Sequence, residues 1–392
     1  MKKELKIEDL LPPVAFFYAA FQVIHRSALR QVINIPQIRE IIMIIIVILS
    51  FYIIIHFRFT KKMMIIFLFL SISFSINVVV SSTIILLVNL FFIFALARES
   101  ERIKDVIYSL LLGLIISTTL ILILTLIGWV PNHFRVENGR PRYYLGFNAP
   151  PALPDIYVGI LTCYLVLNKD KLKTSHLFLL LIPSYVIMEF ADGRSSFGVS
   201  IFIIFSITLI KKFISNKKKI SNFLYNTGCS ILTIGVFLSI YVSMRFPYSA
   251  FIQRQNRFFT GRLGWFSRAW RENPLRLFGN NLEENAANMI MLDNLYLQLL
   301  LRGGIIIFII SIICLFKLLK HYKKSNDYLS LIILIAIIIN SLVSASWMPI
   351  WKNVLLFSLS EIIGLSIVKK NPTMANQINL RLEERKFKRN KY

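Results

Sequence analysis

Ten arginines fall in two short stretches of this chain, and their chemistry is specific. Residues 131–151 carry Arg135, Arg140 and Arg142. Residues 245–292 carry Arg245, Arg254, Arg257, Arg262, Arg268, Arg271 and Arg276, and neither stretch contains a lysine. Lysine supplies a point charge, whereas the planar guanidinium grips phosphate or carboxylate oxygens in pairs. Each such charge-assisted bond contributes roughly 1.5–3 kcal/mol. Four glutamates, Glu137, Glu272, Glu283 and Glu284, share these stretches, so internal pairing leaves arginines over for an anionic ligand. Phe246, Tyr248, Phe251, Phe258, Phe259, Trp265, Phe266 and Trp270 interleave with the arginines of the longer stretch. Such rings seat at a membrane interface or stack on sugars, and they equally suit an amphipathic lid packed on the rest of the protein.

Asp293 follows directly, at the junction of this stretch and an apolar segment. Burial there would raise its pKa and suit it to general-base work. Its plainer role is a helix N-cap or first-turn acid. Asp192, beside Arg194, is a second candidate base, with a local ion pair as its plainer state. Glu189 and Glu361 lie in or near apolar segments, where a charge costs roughly 2.5–3.5 kcal/mol and must pair or face a cavity. His133 is a lone histidine in the smaller stretch, and Arg135 beside it disfavours a metal.

The elements that hold these residues are membrane spans. The chain has 392 residues, is 56% hydrophobic and only 17% charged, with mean hydropathy +0.65. A soluble chain is nearer half apolar and a quarter charged. The excess lies in blocks near the length that crosses the hydrocarbon core, without the polar face of a soluble helix. We read twelve spans, at about 12–24, 39–57, 63–80, 82–97, 106–130, 152–167, 176–191, 195–213, 223–244, 293–316, 328–347 and 352–368. The first opens on Pro12-Pro13 and would also suit an interfacial helix, which would leave eleven. The predicted fold is therefore an all-α polytopic integral membrane protein with one large extracytoplasmic loop.

The net charge of +25 raises nucleic acid as a partner. The lysines and arginines between spans instead satisfy the positive-inside rule, for example Arg58, Lys61 and Lys62, then Lys169, Lys171 and Lys173. No nucleic-acid partner is therefore expected. This rule puts both termini in the cytoplasm and both arginine-rich stretches outside. The organisation is an N-terminal bundle over 1–244, the large loop over 245–292, C-terminal spans over 293–368, and a basic tail over 369–392 suited to the anionic inner leaflet. Cys163, Cys229 and Cys314 lie inside predicted spans without metal-ligand spacing, and neither a disulfide nor a zinc site is expected. Met1-Lys2-Lys3 does not open a cleavable signal.

Four motifs resemble one family. Arg135-x10-Gly146 and Arg268-x10-Gly279 are similar to the paired Arg-x10-Gly motifs of Wzy-type O-antigen and capsular polysaccharide polymerases, which share a superfamily with the O-antigen ligases. Thr260-Gly261-Arg262-Leu263, Trp265 and Leu277-Phe278-Gly279 resemble that family's TGR…W…LFG run. Asp293-Asn294-x-Tyr296-Leu297 with Gly304 resembles its (H/D)N-x-YL…G motif. Asp192-Gly193-Arg194-Ser195-Ser196 resembles a short Ser-Arg-Ser/Thr motif. The likeness covers roughly residues 131–304. It departs at Gly146-Phe147-Asn148-Ala149-Pro150, where family members often carry a histidine, and at Asp293, where ligases carry histidine.

The resemblance implies glycosyl transfer at the outer face of the plasma membrane from an undecaprenyl-pyrophosphate-linked oligosaccharide, with no cofactor and no metal. Membrane lipids, a flippase and a chain-length regulator are the partners it brings with it. Arg268 and Arg135 would meet the departing pyrophosphate, and Asp293 would take the acceptor proton. Arg140, Arg142, Arg194, Arg254, Arg257, Arg262, Arg271, Arg276, Asn294, Tyr296 and Trp265 would bind substrate. The alternatives are a ligase-type glycan transferase, supported by the same motifs, and from another class a polysaccharide flippase, which would need a charged path through the bundle.

Overall fold

The computed structural model describes residues 7–33, 38–56, 61–81, 84–97, 99–137, 140–213, 216–259, 261–282, 292–345 and 347–368. The basic tail over 369–392, Thr260, Glu283 and Glu284 lie outside the described residues, as do the side chains of Glu137 and Arg140.

The helices are α1 (Leu11–His25), α2 (Leu29–Val32), α3 (Ile38–His56), α4 (Lys61–Ser81), α5 (Ile85–Leu96) and α6 (Ile103–Leu126). After a hairpin come α7 (Ala152–Leu167), α8 (Thr174–Leu179), α9 (Leu181–Ala191), α10 (Arg194–Phe213) and α11 (Lys217–Arg245). Then follow α12 (Ala250–Gln255), α13 (Arg262–Glu272), α14 (Leu295–Leu297), α15 (Gly304–Lys324), α16 (Tyr328–Asn340) and α17 (Ser358–Val368). Six helical segments among the described residues are long and apolar enough to cross a membrane, and six more apolar helices are 10–17 residues long. The long ones leave large side chains such as Phe69, Val79, Ile116 and Phe237 exposed. In a soluble protein that surface would be a liability, so these helices mark an integral membrane protein.

The first segment packs as part of the bundle. Tyr18, Ala15, Ala19 and Val23 of α1 are fully buried. At Gly113 of α6 an added Cβ would run into the Phe16 carbonyl, so α1 and α6 touch backbone to backbone. Arg102, at the start of α6, reaches Asp9 at 3.0 Å, while the far end of α1 bonds to the chain beyond α6 through Ala28 N to Gly146 O, 2.8 Å. These ties run the two helices parallel.

The described fold is helical apart from the smaller arginine-rich stretch, which forms an antiparallel hairpin of β1 (Phe134–Glu137) and β2 (Arg140–Tyr143), with Arg135 facing Arg142 in register. Two expectations need correction. The span read over 293–316 is broken. A short helical turn and a π turn over Gln298–Arg302 end at Gly303-Gly304, and only then does α15 begin. Gly304 has φ +86°, and its backbone abuts Gly279, itself at φ +87°, so closely that a Cβ on either would overlap main chain. The last two spans are also interrupted: α16 stops at Asn340 and α17 starts at Ser358, with the mostly irregular stretches 341–345 and 347–357 between them, the second largely buried. Irregular backbone at membrane depth persists only where protein satisfies its polar groups. Buried Asn89 does this, donating to Met348 O at 2.7 Å and accepting from Ile350 N at 3.0 Å.

The large loop builds a small lid. The α13 helix is amphipathic and packs along the end of α11. Ile252, Leu263, Phe266 and Ala269 join Leu292, Leu297 and Leu301 in a cluster of their own, apart from the main core.

Candidate functional site

The links between helices at the arginine-bearing end converge on three carboxylates, each met by cations. Asp192 sits where α9 turns into α10, in the left-handed region at φ +51°. It receives Arg194 at 2.7 Å and, from the hairpin, Arg142 at 2.8 Å. Asp155, one turn into α7, receives Lys352 at 2.7 Å and the Ser196 hydroxyl at 3.1 Å. Asp293 lies 3.4 Å from Arg262 of the lid. Arg262 also donates to Val343 O at 2.9 Å, which joins the lid to the stretch after α16.

Asp293 is not a cap. Asn294 takes that position, its side-chain oxygen accepting from Leu297 N at 3.0 Å while its amide donates to Ser239 Oγ at 2.9 Å and Leu342 O at 3.0 Å. The Asp293 carboxylate is left to face Arg262 and the open end, with its side chain 44% exposed. Partial burial pushes its pKa up from the ordinary value. The Arg262 guanidinium pulls it back, and repulsion from Asp155 adds to the rise. A carboxylate raised in this way but still accessible is suited to accept a proton.

Beneath this pair is an apolar cavity of about 540 Å³. Its walls are Val199 and Phe202 of α10, Leu238 and Val242 of α11, Ala336 and Ile339 of α16, and Ile252, Leu263 and Phe266 of the lid; Arg262, Ser195 and Asn294 are among its polar lining residues. An apolar slot lined at its polar side by the Arg262 guanidinium, which in turn meets Asp293, fits a ligand with a long apolar tail and an anionic head.

The other expected residues fall in distinct places. Arg268 pairs with Glu272 of its own helix at 2.7 Å, and Arg135 is exposed on the hairpin; neither forms an ion pair with Asp293 among the described residues. The arginine that faces Asp293 is Arg262, expected from the sequence among the substrate-binding residues. Arg245, Arg254, Arg257, Arg271 and Arg276 are exposed, without ion-pair partners among the described residues, and Trp265 is 38% exposed on the lid. Tyr296 is buried and donates to Ile338 O at 2.8 Å, so like Asn294 it holds the site's framework rather than an open surface. Of the acids in apolar segments, Glu361 pairs with His321 at 3.0 Å. His133 meets Gln31 at 3.0 Å, tying the hairpin to α2.

The sequence reading missed Arg26, Asp155, Lys352 and Trp351. A usable signal was present: Asp155 and Lys352 each fall inside a predicted span, where an ionisable group marks a functional position by default.

No protein-family model matches the chain, and neither the curated proteins nor the solved structures contain a significant match to it. Fold and site alone define the class: a helical membrane protein with a cation-rich polar centre at one end of its bundle and an apolar cavity opening beneath it.

Proposed function

We propose that this protein is a polysaccharide polymerase that joins undecaprenyl-pyrophosphate-linked oligosaccharide repeat units at the outer face of the plasma membrane. The observation that carries this reading is the Arg262–Asp293 pair at the apolar cavity of about 540 Å³. The cavity suits the polyprenyl chain, Arg262 the pyrophosphate, and Asp293 the acceptor hydroxyl. In this reading the six long and six shorter apolar helices are the twelve spans, both termini are cytoplasmic, and the hairpin and lid face outward. The positive-inside pattern and the motifs at Arg262, Gly279 and Asp293 support it.

The transfer balances without cofactor or nucleotide. The acceptor sugar hydroxyl gives its proton to Asp293 as its oxygen bonds to the anomeric carbon of the donor. The bond between that carbon and the pyrophosphate oxygen breaks, and the electron pair leaves with the pyrophosphate. Arg262 and the lid arginines stabilise the developing charge as fixed positive groups. The Arg262 charge also favours the ionised form of Asp293, against the burial that opposes it.

The test is glycan chain length in a strain lacking the protein and complemented with Asp293→Asn or Arg262→Gln. Single repeat units are expected, with normal protein in the membrane. Long polymer from either stably inserted variant would overturn the assignment. Glycan made at full length but left off its final carrier would instead mark a ligase.

A further inference from the structure

Tyr18, Gln22 and Arg26 follow one another at four-residue spacing along α1 and the residue capping it, so their side chains stack on one helix face. None belongs to the Arg262–Asp293 site. Tyr18 is 0% and Gln22 2% exposed, and the Tyr18 hydroxyl and Gln22 Nε2 have no hydrogen-bond partner among the described residues. The Arg26 guanidinium lies 5.2 Å over the ring of Trp351. It makes no ion pair among the described residues. Trp351 is fully buried, and its Nε1 is also without a partner there. The adjoining Lys352 is 1% exposed and committed to Asp155 at 2.7 Å.

Phenol, amide, guanidinium and indole are thus gathered as unused donors, and two cations face one carboxylate. An unpaired buried donor costs about 1–3 kcal/mol. Several in one place are retained where something bearing acceptor oxygens meets them. A metal ion does not fit, because the free groups donate. A neutral sugar leaves the surplus positive charge unmet. A tetrahedral oxyanion answers both the donors and the charge. The end of α1 is tied to the chain beside the hairpin through Asn148 N to Arg26 O, 2.8 Å, so this cluster lies near the bundle end that carries the arginines. It is built on α1, α7 and the stretch after α16, whereas the first cavity is walled by α10, α11 and α16.

We infer that Tyr18, Gln22, Arg26 and Trp351 form a second oxyanion-binding site that takes a phosphate-class group, either free or on a polyisoprenyl lipid. A reaction joining two lipid-pyrophosphate substrates has use for two such sites, but the inference rests on the donors and charge and not on the polymerase reading.

The test is titration calorimetry on the purified full-length protein in detergent, with inorganic pyrophosphate and with farnesyl pyrophosphate as probes. Two binding events are expected for farnesyl pyrophosphate in the wild type. Trp351→Phe, Tyr18→Phe and Arg26→Gln each weaken one of them, by about tenfold for the loss of a single donor to a charged ligand. Arg262→Gln weakens the other. Tyr18→Phe removes one oxygen with little change of shape, so an unchanged thermal midpoint in that variant separates lost binding from lost folding. If inorganic pyrophosphate shows the same dependence, the free anion suffices; if only farnesyl pyrophosphate does, the ligand is a lipid. Binding of both probes unchanged in all three variants would overturn the site and leave it to water. Polymer length in cells plays no part in this readout, so failure here and failure of the proposed function are distinguishable.

Discussion

Lys352 and Asp155 stand 197 positions apart and meet at 2.7 Å inside the bundle. The pair pins the irregular stretch after α16 to the first turn of α7, and Ser196 at 3.1 Å adds α10 to the junction. An ion pair this deep gains its energy from mutual neutralisation, and each charge alone would be stranded.

Breaking this pair from one side is therefore expected to cost more than removing it whole. Asp155→Asn or Lys352→Met alone should destabilise the protein by about 3–5 kcal/mol. The double variant should recover part of that loss. Thermal midpoints in detergent check this, and additive losses would refute the coupling.

Elongation should depend on pH through Asp293. Its pKa lies above the ordinary carboxylate value, and the base works ionised, so activity should fall as pH drops through that raised pKa. Asp155→Asn, which leaves Arg262 and Asp293 in place, removes a repulsion that raises it and should move the limb to lower pH. Rate-against-pH profiles in membrane vesicles measure this shift.

The motif glycines should prove structural. At Gly279 and Gly304, φ near +87° and the crossing of main chains leave no room for a side chain. Alanine at either position should prevent accumulation of folded protein. Gly264, on the lid helix, has only ordinary contacts around an added Cβ. Gly264→Ala should be tolerated or should stabilise the helix by roughly 0.5–1 kcal/mol. Membrane protein level and detergent melting distinguish the two cases.

Asp192 joins the hairpin to the helices through Arg142 and Arg194. Its partners are partly exposed, so Asp192→Asn should cost only about 1 kcal/mol of global stability. Its local effect should be larger: amide exchange over Phe134–Tyr143 should rise while α7 and α10 stay protected. An unchanged hairpin would show that β-pairing alone holds it.

The site was only partly legible in the sequence. The excess of arginine over lysine marked Arg142 and Arg262, the motif likeness of residues 192–196 marked Arg194, and the Asp293-Asn294 pair marked the junction where the site stands. Their roles were not readable. The cap falls on Asn294 rather than Asp293 because only its side chain both accepts from Leu297 N and donates to Ser239 and Leu342. Arg268, which opens the second Arg-x10-Gly match, turns to Glu272 on its own surface.

By itself the sequence determined which segments are apolar enough to enter a membrane, where the polar loops lie, and that arginine dominates two of them. Those are local properties, because hydropathy and charge act on a helix one turn at a time. The tertiary structure decided which charges face each other. Arg262 meets Asp293, Lys352 meets Asp155, and Arg26 lies over Trp351, each across at least 31 positions of chain. Such pairings follow from how helices pack and where α16 and the segment before α15 break, and no periodicity along the chain encodes them.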